Sequence, residues 1–560
     1  MKSLLISWRF RLIFLCILWI FIILVGRIGY IQILEPDQLI YQGDMRSVRA
    51  KTLHFARGII SDRNGEPLAI SVPVEAVWAD PIAIFKGNAL EDLKRWYALA
   101  DVLKLRREEL IKKIEENHDR RFIYIQRQVT PVIANYIRKL NLVGIGLKSE
   151  SRRYYPTGEV SAHVIGVVGI DGYGLEGIEY SYNKWLTGEV GRRVIRKDHY
   201  GRVIENISLE EREEGKPLKL TIDQRLQAIA FRAIKQAVSD FRATSGSAVL
   251  LDIKTGEVLA MVNAPSYNPN NRSDLQSFKM RNRVITDSFE PGSTVKPFAM
   301  LAALKNGAVN KDTVIDTGSG VMRIGKSYVR DTLKVGKADL TTILKKSSNI
   351  GIAMLALNIP LEVLLNIYSS VGFGEVSGLN LSGETAGIFH KNLHRTQFEI
   401  ATLAFGYGLS ITPLQLAHAY ATLGNYGKYQ PVHIIKSSKL RDSRQVIDGD
   451  IAKQVLLMLE EVTHSGGTAR KAAVPGYRVA AKTGTSRKAI PGGYGDEYFA
   501  YTAGVAPVSE PKVALVVIVN EPQGDHYYGG IVASPVFSEI MQGALQILNI
   551  PPDNNKFQHQ

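Results

Sequence analysis

The chain has 560 residues, too many for one ordinary hydrophobic core, so two or more domains are expected. Its 45% hydrophobic and 22% charged content excludes a disordered chain. The net charge of +15 is spread along the sequence, which favours a solvated basic surface, suited to an acidic polymer or a membrane, over a nucleic-acid patch. The single cysteine, Cys16, excludes an intramolecular disulfide and a cysteine-type zinc site. The histidines show no HExxH spacing.

In chain order, residues 12–26 read LIFLCILWIFIILVG without a charge, and the apolar run continues past Arg27 to Leu34. As a helix this segment is long enough for a bilayer core. Lys2, Arg9 and Arg11 precede it, which predicts an N-terminus held in the cytoplasm and an exported bulk. No small-residue cleavage site follows, so a retained anchor is expected over residues 1–36. Residues 56–72, ARGIISDRNGEPLAISV, read as strand, turn and strand. A charged helical stretch is expected near Asp92–Glu116. The segments SRRYYPTGEVSAHVIGVVG and GYGLEGIEYSYNKWLTGEVGRRVIRKD read as glycine turns and short strands.

The polar run SLEEREEGKPLKL ends near residue 220, where a boundary is expected. Residues 37–220 hold no catalytic constellation and read as a structural or docking domain. Beyond it, SAVLLDIKTGEVLAMVNAP reads as a hairpin, and helices dominate from about Thr294 to Leu423. Three successive strands over YRVAAKTGTS, YFAYTAGVAPV and KVALVVIVNEP are expected to be antiparallel, followed by an amphipathic last helix. The expected fold class is α+β, with one antiparallel sheet covered by helices. Residues 221–550 make this domain, and residues 551–560 read as a disordered tail.

Three short motifs carry chemistry. Ser293 and Lys296 lie three apart after a Pro-Gly turn, so a helix starting there puts both on one face. A serine hydroxyl needs a base, and a lysine kept neutral by burial or a neighbouring cation is one. Alone, a serine three residues before a lysine is more simply a helix cap. Ser347 and Asn349, in LKKSSNIG, offer a hydroxyl for proton transfer and an amide that both donates and accepts. Lys482, Thr483, Gly484 and Thr485 follow an apolar strand; a cation and two hydroxyls beside an open sheet edge suit a carboxylate-bearing peptide. The same three letters at Lys254–Gly256 fall in a hairpin turn and read as turn chemistry. In this order, on helix, loop and strand, the three motifs match the signature of penicillin-binding proteins and class A β-lactamases.

Over nearly its whole length the sequence resembles the division-specific class B penicillin-binding proteins of Gram-negative bacteria. The resemblance rests on RGIISDRNGEPLA, ESRRYYPTGEVSAHVIG, GLEGIE, NAPSYNPNN, FEPGSTVKP, KSSNIG, FGYGLSITPLQLAHAYATLGNYG, AAKTGT and YYGGIVASPVF. It implies a peptidoglycan D,D-transpeptidase that β-lactams trap. Ser293 would be the acylated nucleophile and Lys296 its base. Ser347 and Asn349 would handle the proton relay and the substrate amide. Lys482, Thr483 and Thr485 would bind the terminal carboxylate, and the backbone N–H groups of Ser293 and Thr485 would form the oxyanion hole. Tyr527 and Tyr528 resemble the family's aromatic wall, with a packing role as the alternative.

The resemblance further implies a non-catalytic pedestal over residues 37–220, an inner-membrane anchor, and a periplasmic catalytic domain at the division septum. Its implied partners are a polytopic septal glycosyltransferase and bitopic divisome regulators; no metal or organic cofactor is implied. The alternatives are an elongation-specific homologue, a β-lactamase with Glu375 or Glu384 as water-activating base, a hydrolase releasing D-Ala, and a non-enzymatic divisome scaffold or β-lactam sensor.

Overall fold

The structure, a computed structural model, describes residues 2–34, 36–53, 56–188, 191–198, 203–209, 214–437, 441–524 and 526–554. The chain forms two compact units: residues 1–56 with 187–215, and residues 57–186 with 216–560.

In the first unit, the helix Lys2–Gly29 runs on into a π-helical turn at Tyr30–Leu34. Its 26-residue stretch Trp8–Ile33 is long and apolar enough to cross a membrane, and none of it is buried against protein. A helix apolar on every side has no core-facing stripe to bury, which is the pattern of a spanning segment. The helix Pro36–Ser47 precedes a three-stranded antiparallel sheet with Gly191–Lys197 between Val48–Leu53 and Val203–Leu209. Arg196 joins this sheet to the helix by ion pairs with Glu205 at 3.1 Å and Asp44 at 2.9 Å.

In the second unit, residues 57–186 build a sheet around the long strand Pro67–Ala79, flanked by Ile123–Val129 and Ile145–Tyr154. The helical stretch expected near Asp92–Glu116 is two helices, Leu93–Leu103 and Arg107–Glu115. They are separated at Lys104, which takes the left-handed conformation at φ 54°. Trp96, Leu99, Leu110, Ile114 and Ile125 form a small core of their own. Between Tyr154 and Ser181 the expected short strands are instead short helical turns at Gly158–Val160, Ala162–Ile165 and Gly177–Ser181, whereas the strand Gly191–Lys197 is as expected. These turns surround a buried ion cluster in which the Glu179 carboxylate accepts from Arg57 at 2.5 Å and Arg153 at 2.6 Å. The DRNG turn reaches across to the rest of the unit: Asp62 accepts the N–H of Asn64, Glu66 and Gln224 at 2.7–3.1 Å. Gln224 opens helix α1 (Gln224–Asp240).

The large sheet of this unit contains β1 (Ser245–Asp252), β2 (Val258–Ala264), β3 (Ala480–Ile490), β4 (Gly493–Ala506) and β5 (Val513–Asn520). Its order is β2-β1-β5-β4-β3 and every pair is antiparallel, as expected for the three successive strands. β1 and β2 are joined by the Lys254–Gly256 turn. Along β5 every residue from Val513 to Val519 is buried, so both faces of the sheet are covered. The helix α1 and the last helix, Gly529–Ile547, pack together on the sheet; Pro413–Gly424 and Gly449–Glu460 form a second packed pair on it. β3 is one of its two edge strands. The tail expected from Pro551 on is tied down as far as Asn554: Asp553 accepts the N–H of Arg478 at 2.7 Å and of Ser509 at 3.1 Å, and Asn554 N–H donates to Gly476. Residues 555–560 lie outside the described residues.

Candidate active site

Ser293 sits in a 3-10 turn, Gly292–Val295, that runs directly into the helix α2 (Lys296–Lys305). Pro297 falls in the first turn of that helix, where a missing N–H costs nothing and the fixed φ suits the start. The turn is held from several sides. Gly292, at φ +47°, donates its N–H to Gly406 O at 3.0 Å. Thr294 Oγ1 donates to Pro291 O at 2.6 Å, and Tyr420 OH donates to Thr294 O at 2.8 Å. The turn packs against β3.

Ser347 and Ser348 link two helices, α3 (Leu340–Lys346) and α4 (Asn349–Leu357). Ser347 caps the first in the left-handed conformation, φ 58°, which an L-residue adopts only where the surroundings enforce it. Ser348 caps the second, accepting Gly351 N–H. Tight capping at both ends turns the Ser347 hydroxyl and the Asn349 amide toward α2.

Lys296 is fully buried. Its ammonium donates to Ser347 O at 2.6 Å, to Asn349 Oδ1 at 2.7 Å and to Ser347 Oγ at 3.2 Å. Lys482, on β3, is also fully buried and donates to the same Ser347 Oγ at 2.9 Å and to Thr483 O at 3.2 Å. Burial lowers the Lys296 pKa well below the ordinary lysine value, the nearby Lys482 charge lowers it further, and Asp331 opposes both. Burial brings Lys482 down to about 7. Lys482 is therefore poised to lose a proton near neutrality, and the charged form of Lys296 is strongly disfavoured.

Thr485 Oγ1 accepts the N–H of Gly529 at 3.0 Å, so its own proton is free to donate to a ligand. Thr483 is buried against Gly530. Gly484 leaves no room for a side chain: an added Cβ would fall inside the Tyr501 ring. Tyr527 and Tyr528 lie just before Gly529. Tyr527 stacks between Tyr498, at 4.2 Å between centroids, and Tyr528, at 4.6 Å, and Arg487 donates to the Tyr498 hydroxyl at 3.1 Å. The structure thus links Lys296, Ser347, Asn349 and Lys482 by direct hydrogen bonds. Ser293 lies on the turn that leads into α2, and Tyr527 and Tyr528 directly precede Gly529, whose N–H reaches Thr485. Ser293 Oγ makes no hydrogen bond among the described residues.

Sequence reasoning missed Asp331. Its carboxylate accepts Ser348 Oγ at 2.6 Å, Asn349 N–H at 2.5 Å and Ile350 N–H at 2.9 Å. It sits at the positive end of α4. Asn349 Nδ2 also donates to Arg330 O at 2.8 Å, leaving one amide hydrogen for a ligand. Glu290, three residues before Ser293, was missed as well. Its Oε1 accepts Gly408 N–H at 2.9 Å and the Tyr494 hydroxyl at 3.3 Å, and burial raises its pKa. Neither Glu375 nor Glu384 hydrogen-bonds to a motif residue among the described residues; the Glu384 carboxylate accepts Ser377 N–H at 2.5 Å.

Comparison with known proteins is consistent with this geometry. Residues 246–542 match the family described as penicillin binding protein transpeptidase domain. Residues 53–220 match the family described as penicillin-binding protein dimerisation domain. The chain is 49% identical over 549 residues to the peptidoglycan D,D-transpeptidase FtsI of Escherichia coli (strain K12), covering 98% of this chain and 93% of that one. It is 44% identical over 556 residues to the FtsI of Buchnera aphidicola subsp. Schizaphis graminum, covering 99% and 98%. Among solved structures, a peptidoglycan synthetase from Bifidobacterium adolescentis superposes with a TM-score of 0.72 at 26% identity, over 90% of this chain and 98% of that one. A matching catalytic domain, full-length relatives and a fold shared along most of the chain agree: this chain belongs to the penicillin-binding protein transpeptidase family.

Proposed function

We propose that the chain is a peptidoglycan D,D-transpeptidase that cross-links stem peptides of the septal wall through an acyl-enzyme on Ser293, and that β-lactams trap it there. The observation that carries the reading is the convergence of two buried lysines, Lys296 and Lys482, on the hydroxyl of Ser347. Two adjacent buried cations disfavour each other, so one gives up its proton. Lys296 bears both penalties and is the base. A neutral amine keeps two N–H donors, enough for its two short bonds to Ser347 O and Asn349 Oδ1. It gives up the 3.2 Å contact and directs its lone pair at the Ser293 proton.

Ser293 Oγ then attacks the carbonyl carbon of the penultimate D-Ala of a donor stem. The oxyanion that forms is held by the backbone N–H groups of Ser293 and Thr485. The Ser347 hydroxyl already accepts from Lys482, so its own hydrogen points away and is available to the leaving D-Ala nitrogen, with Lys296 as the source of replacement. Lys482, Thr483 and the free proton of Thr485 hold the terminal carboxylate, while the spare Asn349 N–H holds a donor peptide group. The C–N bond breaks and D-Ala leaves. An acceptor amine then attacks the ester, gives its proton to the same relay and releases Ser293. Tyr498, Tyr527 and Tyr528 line the rim as an apolar wall for the donor.

Residues 37–220 act in this account as a non-catalytic pedestal and residues 221–550 as the transpeptidase domain. Arg9 and Arg11, at the N-terminal end of the apolar stretch, support an N-terminus in the cytoplasm and a catalytic domain in the periplasm, where it would act at the septum. A polytopic septal glycosyltransferase and bitopic divisome regulators are the protein partners. An N-terminal fluorescent fusion of the full chain should form a midcell ring; uniform membrane labelling would sink the septal assignment.

The activity is tested by giving the detergent-solubilised full chain a stem pentapeptide ending in D-Ala-D-Ala and an amine acceptor. A product joined to the acceptor, with one D-Ala lost and none formed by Ser293→Ala, is the expected result. Tetrapeptide released to water without any transfer would make the protein a carboxypeptidase instead.

A further inference from the structure

We infer that Tyr501 is the spacer that sets the gap between the two backbone N–H donors of the oxyanion site, those of Ser293 and Thr485. This rests on the transpeptidase reading above. Each of those N–H groups belongs to a peptide that begins at a glycine, Gly292 or Gly484, and Tyr501 touches both glycines. It lies opposite Gly484 in the β3–β4 register, and its ring fills the space where a Gly484 side chain would be. On the other side, a Cβ built on Gly292 would come within 2.6 Å of the Tyr501 hydroxyl. That hydroxyl donates to Glu290 O at 3.0 Å, 211 residues away in sequence.

One rigid side chain therefore spans from the edge strand to the nucleophile turn. Tyr501 is fully buried, and the Phe289 ring packs beside it at 5.1 Å between centroids. A planar ring in a close-packed site cannot yield to a change in the gap as a flexible chain would. The hydroxyl bond fixes the height of the turn over the ring. Burial keeps the phenol protonated, so the tether persists across the working pH range. The glycines then have a joint explanation: Gly484 admits the ring and Gly292 admits the hydroxyl. Two N–H donors stabilise a developing oxyanion only if their separation matches it, and Tyr501 is what holds that separation. It is a positioning residue, since it touches neither substrate nor reacting atoms.

The test uses the full chain in detergent and a β-lactam labelled with carbon-13 at its reactive carbonyl. Wild type must first give an adduct on Ser293; if it does not, the transpeptidase reading fails before Tyr501 is in question. Three quantities are then compared in Tyr501→Phe, which keeps the ring and loses the tether: non-covalent affinity, the acylation rate constant, and the infrared stretch of the acyl-ester carbonyl. The expected result is an acylation rate constant lower by about 10- to 100-fold, unchanged non-covalent affinity, and a carbonyl stretch moved to higher frequency by weaker polarisation. If Tyr501→Phe does not fold, Tyr501→Met, which fills similar volume without ring or hydroxyl, must show the same loss. A lower melting temperature with the rate constant and stretch unchanged would make Tyr501 a packing residue only and overturn the inference.

Discussion

Lys296 and Lys482 donate to the same oxygen, Ser347 Oγ, at 3.2 and 2.9 Å. Placing two fully buried lysines around one hydroxyl makes the protonation of each depend on the other, and in the proposed mechanism this coupling gives the site its base. Acylation should rise with pH and level off well below the ordinary lysine value of 10.5. Lys296→Met should lower the acylation rate constant by about 10²- to 10⁴-fold. A stopped-flow pH profile with a fluorescent penicillin checks both; a profile that levels only near pH 10.5 would contradict the assignment.

Lys482 should cost stability while serving function. Its folded pKa is about 7 against the ordinary 10.5. Between those values the unfolded chain binds a proton that the folded chain does not, so stability rises as pH rises through this window. Lys482→Met should reduce that slope to the part that the buried Lys296 contributes, raise the melting temperature at pH 7.5 by a few degrees and abolish β-lactam acylation. Thermal unfolding of both proteins from pH 7 to 9.5 measures it. A melting temperature that falls in the variant would show that the lysine stabilises the fold.

Asp331 should matter through the residues it holds. Asp331→Ala strands the N–H groups of Asn349 and Ile350 at the start of α4. It should cost about 1–3 kcal/mol of stability and slow acylation about tenfold or more. Asp331→Asn, which still accepts, should recover part of both. Urea unfolding paired with acylation kinetics distinguishes this from a site that tolerates the change.

The ion cluster of Arg57, Glu179 and Arg153 lies in the non-catalytic part and offers a contrast. Glu179→Gln leaves two buried guanidiniums without their carboxylate, which should cost about 3–5 kcal/mol. The folded fraction should still acylate at the wild-type rate. A large rate loss in fully folded variant would instead tie this cluster to the active site.

Tyr527→Ala removes the middle ring of the stack with Tyr498 and Tyr528. Non-covalent affinity for β-lactams with bulky apolar side chains should fall about fivefold, near 1 kcal/mol, with the acylation rate constant unchanged. Competition titrations against a small-side-chain penicillin isolate the effect; equal losses for both ligands would leave Tyr527 a packing role only.

Much of the site was legible because its chemistry is written in short strings. Ser293 with Lys296, Ser347 with Asn349, and Lys482 through Thr485 are each local, and helix and strand spacing predicts where they point. Asp331 and Tyr501 were not legible. Asp331 acts across 17–19 residues, past the strand Lys337–Asp339 and helix α3, and Tyr501 reads as an ordinary aromatic of a buried strand until its partner Glu290, far away in sequence, is known. The alternating and continuous apolar runs identified the sheet strands, since burial on both faces demands them. The break at Lys104 carries no glycine or proline to announce it. The short turns between residues 158 and 181 are too brief for any periodicity to register.

The central claim is that Ser293 becomes acylated. The most direct measurement is to incubate the full chain with a fluorescent penicillin, alongside Ser293→Ala, and to map the adduct by mass spectrometry. A long-lived ester on Ser293 that is absent from the variant is the result predicted. A folded protein that turns the penicillin over rapidly, or that carries no adduct, would contradict it.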